Sequence, residues 1–162
     1  MSFNLAAYTL VHVVISLIGI GSGLVVVGGF LTQKEFRWWT PLFLTTTVAT
    51  SATGYGFPFE HLLPSHIVGA ISLVVLAVVL YARYARRLVG AWRATYVIGA
   101  VTALYFNVFV LVVQLFLKVP ALKALAPTQS EPPFAIAQLL VLVLFVVAGA
   151  LATKRSRRIQ LA

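Results

Sequence analysis

Seven side chains carry almost all the chemistry that lies in or beside the apolar stretches of this chain. They are His12, His61 and His66, the carboxylate Glu60, and the amides Asn107, Gln114 and Gln138. Two of the histidines and the acid fall within GFPFEHLLPSHIVG, residues 56–69. Imidazoles with a carboxylate can ligate zinc, copper or iron. Two imidazoles on facing helices can hold a haem iron from both sides. A few amides and imidazoles converging among apolar walls can orient a small amphipathic molecule. The choice among these depends on the elements that position the groups.

Those elements are membrane helices. The chain has 162 residues, of which 61% are hydrophobic and 9% charged, with mean hydropathy +1.02. A soluble domain has about a quarter of its residues charged, so this chain cannot cover a water-facing surface. A spanning helix needs about 20 mostly apolar residues. Five stretches qualify, roughly 5–31, 40–58, 65–86, 92–118 and 134–153. The expected fold is an all-α integral membrane bundle of five helices, a single transmembrane domain over residues 1–162.

The net charge of +9 orients the bundle. Lys34 and Arg37 follow the first stretch. Arg83, Arg86, Arg87 and Arg93 lie between the third and fourth. Lys154, Arg155, Arg157 and Arg158 follow the fifth. These positions share one side, and the other side holds only Lys118 and Lys123. The positive-inside rule then places the N-terminus outside and the C-terminus in the cytoplasm. In a bacterium the host membrane would be the cytoplasmic (inner) one. The basic clusters also favour anionic lipid head groups. No basic face with base-stacking or groove-reading groups accompanies them, so nucleic acid is not an expected partner. The expected partners are the lipid bilayer, other membrane subunits or further copies of the chain. The absence of cysteine excludes disulfides, thiol catalysis and Cys-based metal sites. MSFNLAAYTL lacks the positive start of a signal peptide, and the first stretch is read as a mature helix.

Within the first stretch Tyr8, His12, Ser16, Gly19 and Gly23 are spaced 4, 4, 3 and 4 apart and share one helical face. Gly19 and Gly23 form a GxxxG pair that allows close helix approach. The second stretch follows Trp38, Trp39 and Pro41, is rich in threonine (Thr45, Thr46, Thr47, Thr50, Thr53), and breaks at Gly54, Gly56 and Pro58. Pro64 and Ser65 start the third, with His66 in its first turn. Asn107 and Gln114 share a face of the fourth, extended inward by Ala100 and Ala103. In the outer loop 119–133, VPALKALAPTQSEPP, the first part could form a short interfacial helix.

Position converts to depth at about 1.5 Å per residue. On that scale His12 lies about seven residues in from the outer end of its helix, Gln114 and Gln138 about four, His66 at the outer edge and Asn107 near mid-membrane. The groups come from four helices yet gather in the outer half. EHLLPSH then reads as the rim of an outward-facing pocket floored by His12, Asn107, Gln114 and Gln138.

Three functional readings follow. The pocket binds a quinone, a lipid or a similar small molecule. Alternatively, a b-type haem sits between His12 and His66, although their depths differ by about 7–10 Å and few cations are at hand for its propionates. Alternatively, the protein is a structural or accessory subunit whose glycine and threonine faces meet partner helices. A metal site from Glu60, His61, His66 and His12 is weaker, because His-x4-His with an intervening proline is not a standard ligand motif. Ion coupling through carboxylates is disfavoured, since no acid lies within a span. GIGSG, residues 19–23, resembles the GxSG serine motif of intramembrane rhomboid proteases. Ile20 occupies that motif's first glycine position, and Ser22 lies in the inner half of its helix whereas every histidine lies in the outer half, so no Ser–His pair can form. The same glycines have no preceding strand and make no dinucleotide fingerprint.

Overall fold

Long uninterrupted apolar runs form long helices here. The structure is a computed structural model and describes residues 2–34, 36–58 and 64–158. Among them there is no strand. The helices are α1 (Ser2–Thr32), α2 (Trp39–Thr53), α3 (Pro64–Leu80), α4 (Ala91–Lys118), α5 (Pro120–Leu125) and α6 (Pro132–Arg158). A 3-10 turn (Gly54–Gly56) extends α2 and a π turn (Tyr81–Ala85) extends α3. Among the described residues four helices are long and apolar enough to cross a membrane: α1, α3 with its π turn, α4 and α6.

α2 differs from the expected span at 40–58. It stops at Thr53 after 15 residues, which is about 22 Å of helix against a hydrocarbon layer of about 30 Å. The physical reason is local. Glycines at 54 and 56 tighten the chain into a 3-10 turn, and Phe57 is already extended before Pro58. At the other chain end α6 is longer than expected, because Lys154 and Arg155 continue the helix. The short helix expected after α4 is α5, with Pro120 in its first turn.

α4 is the hub and packs against α1, α2, α3, α5 and α6. α1 and α2 form an antiparallel hairpin. Gly29 lies against Phe36 where the hairpin turns, and Gly56 lies against Tyr8 at its far end. The core between the helices is Phe43, Leu44, Leu76, Val79, Ala100, Ala103 and Leu104, all 2% exposed or less. α6 is peripheral. Only 6% of its most apolar window is buried, against 39% for α4, and Leu139, Leu140 and Leu144 point outward. An exposed apolar face of that extent is unstable in water and suits a lipid or protein surround.

Arg83, Arg86, Arg93 and Arg155 gather at one end of the bundle. The Arg155 guanidinium donates to the Leu31 carbonyl, Gln33 Nε2 donates to the Arg155 carbonyl, and Arg93 Nε donates to Ser156 Oγ at 3.1 Å. Arg83 lies 5.4 Å from the Tyr96 ring centre and Arg86 5.3 Å from that of Trp92, both cation–π distances. At the opposite end Phe116 meets Phe134 edge-on, and Gln129 Nε2 donates to the Val113 carbonyl.

Glu131 immediately precedes α6 and is the only acid among the described residues. Its carboxylate accepts from the Thr128 hydroxyl at 2.9 Å, the Thr128 amide at 3.2 Å and the Ser130 amide at 3.0 Å. Desolvation alone would raise its pKa. Hydrogen bonds from its own backbone amide, Thr128 and Ser130 outweigh this and hold the carboxyl below the ordinary range. A depressed carboxyl stabilises the fold above its unfolded pKa, and that contribution is lost as pH falls through the folded value. The melting temperature in detergent should therefore fall modestly below about pH 4.5. Glu131→Gln should lower it at neutral pH and flatten this acid limb. An unchanged limb in the variant would remove Glu131 from the account.

Candidate functional site

Two of the cavities left by helix packing among the described residues bear on function. The larger, about 750 Å³, is an open apolar groove between α4 and α6 walled by Val101, Tyr105, Phe145 and Gly149. It has few polar groups and none of the histidines. The second, about 640 Å³, lies between α1, α2, α3 and α4 at the end away from the basic cluster. His12, His66, Asn107 and Gln114 all line it, together with Lys118. Convergent polar groups on apolar walls mark a binding site better than volume does, so the second cavity is the candidate.

α1 supplies His12 from a half-buried position. Its Nδ1 lies 2.8 Å from Thr53 Oγ1 on α2. Tyr8, one turn earlier, donates its hydroxyl to the Thr53 carbonyl at 2.6 Å. Both rings meet Phe57 edge-on, with centroids 5.0 Å away for Tyr8 and 5.1 Å for His12. Gly56 allows the close approach at this junction, because a Cβ there would fall on the Tyr8 hydroxyl and displace that ring.

α3 supplies His66, which is buried at 6% exposure. Its backbone carbonyl accepts the Tyr55 hydroxyl at 2.6 Å, and the two rings lie 5.7 Å apart. Ser72, further along α3, accepts from Ser51 Oγ of α2 at 3.2 Å. Thr50 Oγ1 is buried beside the cavity with no hydrogen-bond partner among the described residues. This is unusual for a helix threonine, since Thr46 and Thr53 both bond back to their own helix.

α4 supplies Asn107, Gln114 and Lys118. Asn107 is buried, and its Nδ2 donates to Thr47 Oγ1 at 3.3 Å, next to Gly19. It therefore joins α1, α2 and α4 as well as walling the cavity. Gln114 and Lys118 form no hydrogen bond or ion pair among the described residues, and both face the cavity.

No protein family, curated protein or solved structure matches this chain. What the cavity can hold must therefore be read from its own atoms. No carboxylate lines it among the described residues, and one ammonium does. Such a lining suits a neutral or anionic molecule and opposes a cation.

Of the remaining expected site residues, Gln138 is not among those lining this cavity: its Nε2 donates to the Phe109 carbonyl at 3.2 Å across the α4–α6 contact, and its Oε1 is buried without a partner among the described residues. Glu60 and His61 fall outside the described residues. Among the described residues no three of His, Cys, Asp and Glu come together as a metal site. Ser22 bonds to the Ile18 and Gly19 carbonyls of its own helix and is 1% exposed, a packing residue. Sequence reasoning missed the roles of Thr53, Tyr55, Phe57, Ser51 and Ser72. The only signal for them was that hydroxyls and aromatics cluster just before the α2 break.

Proposed function

We propose that this is a five-pass integral membrane protein, of the cytoplasmic membrane if its host is a bacterium, that binds a small apolar or amphipathic ligand, such as a quinone or lipid, in an outward-facing pocket. The observation that carries the reading is the cavity of about 640 Å³ in which polar groups of α1, α3 and α4 converge among apolar walls. The passage of α2 supports five crossings, because its chain runs from the Phe36–Gly29 contact to the Gly56–Tyr8 contact. Between residues 8 and 29 α1 rises about 32 Å, so α2 and its turn traverse nearly a whole bilayer core. Concentration of the basic residues at the other end supports an outward-facing cavity.

Ligand retention tests this. Protein purified in mild detergent should carry a molecule that solvent extraction and mass spectrometry identify. Ser16→Trp, which projects bulk from the cavity wall, should reduce that molecule at least tenfold while the protein remains folded. Leu140→Trp, on the exposed face of α6, should leave it unchanged. Equal retention in both variants would refute the pocket.

His12 and His66 on one cavity also support a b-type haem reading. An absorption spectrum before and after dithionite, on protein produced with haem available, separates the two. A reducible haem spectrum lost in His12→Ala and His66→Ala would establish the haem reading, and a flat visible spectrum would exclude it.

A further inference from the structure

The hydroxyl of Thr53 has one proton, and the structure shows where it goes. Thr53 Oγ1 lies 2.7 Å from the Ala49 carbonyl oxygen and 2.8 Å from His12 Nδ1. A carbonyl oxygen only accepts. Two oxygens at 2.7 Å without a proton between them would repel, so Thr53 donates to Ala49. His12 Nδ1 must then be the donor to Thr53 Oγ1. In the neutral imidazole that fixes the proton on Nδ1 and leaves the lone pair on Nε2. Tyr8 holds the same residue through the Thr53 carbonyl, and Phe57 buttresses both rings. The His12 ring is thus locked in orientation and in tautomer, and its Nε2 accepts no hydrogen bond among the described residues.

The geometry points to His12 as an obligate hydrogen-bond acceptor in the cavity, so that the ligand is recognised through an O–H or N–H group and a hydroxyl-bearing ring of the quinol or phenol class is favoured over its carbonyl counterpart. This rests on the pocket reading above and adds the polarity of recognition. Asn107 does not offer the same selectivity, because its amide carries both donors and an acceptor. Thr53 acts through His12 and is a positioning residue. Without its hydroxyl the imidazole can exchange tautomers and donate from Nε2 to a carbonyl.

The test uses full-length protein in detergent and two measurements. Long-range proton–nitrogen correlation spectra, with His12→Ala to assign the signal, read the tautomer directly. His12 should be protonated on Nδ1 in the wild type and in Thr53→Ser, and should lose that preference in Thr53→Val. A wild-type His12 protonated on Nε2 would overturn the inference. Anaerobic calorimetry with decylubiquinone and its quinol reads the consequence. The quinol should bind about tenfold more tightly, the worth of one hydrogen bond. That ratio should fall towards one in Thr53→Val and return in Thr53→Ser. Equal binding of the two forms, abolished by Ser16→Trp, would leave the pocket standing and overturn the donor assignment. Binding of neither form would overturn the pocket for this ligand class, and the inference with it.

Discussion

A reporter active only in the cytoplasm should be active when fused after Ala162 and silent when inserted at Gln129. The expected contrast is all-or-none, because the single crossing of α6 separates the two positions. Ten of twelve basic residues lie in the linkers after the first and third expected stretches, including the start of the fourth, and in the tail after the fifth, positions that the positive-inside rule assigns to one side because the loops are short. The contacts are consistent with that partition. The tail of α6 bonds back to the end of α1 through Arg155 and Leu31, while the start of α3 lies beside Tyr55, near the N-terminal half of α1. If α2 dipped into the membrane and returned without crossing, the number of passes would be four. Both termini would then share a side, and a reporter at the N-terminus would be active together with the one at Ala162. That result would refute the five-pass reading, whereas a silent reporter at Ala162 with an active one at Gln129 would reverse the pocket. Because α2 is the only helix below spanning length among the five expected, the N-terminal reporter tests this one element.

That weakness at α2 marks what sequence could and could not specify. α1, α4 and α6 were legible because unbroken apolar runs must form helices in lipid, where no water satisfies the backbone. The end of α2 was legible at Gly54 and Pro58, but its length was not, because a 3-10 turn and an apolar helix read alike. Depth arithmetic placed His12, His66, Asn107 and Gln114 at differing heights within one half of the bundle, and they line one cavity. The same arithmetic placed Gln138 with them, yet it faces α4 across a different contact. Sequence position gives height along a helix but not its rotation relative to its neighbours. The Tyr8–Thr53–His12 cluster was illegible for a related reason. A threonine that bonds to its own helix reads as satisfied, and only the tertiary fold brings the imidazole to its remaining lone pairs.

Gly21 and Gly23, two residues apart in α1, should respond to alanine with opposite signs. A Cβ at Gly21 meets nothing within 4 Å, so Gly21→Ala gains helix propensity alone, about 0.5–1 kcal/mol. A Cβ at Gly23 would lie 2.6 Å from Leu104 Cδ1 and 2.8 Å from two ring carbons of Phe43. Both neighbours are completely buried and cannot swing away, so overpacking of about 1–3 kcal/mol exceeds the propensity gain. Gly23→Leu should be far worse, with loss of the monodisperse folded species, whereas Gly21→Leu should be tolerated. Thermal unfolding in detergent measures the alanine pair, and size-exclusion chromatography the leucine pair. Phe43→Leu should recover part of the loss in Gly23→Ala, since contacting residues couple in a double-mutant cycle. Equal effects at the two glycines would mean that α1 does not approach α2 and α4 at Gly23. Because the same face of α1 carries His12 and Ser16 into the cavity, the position of the site would fall with that contact.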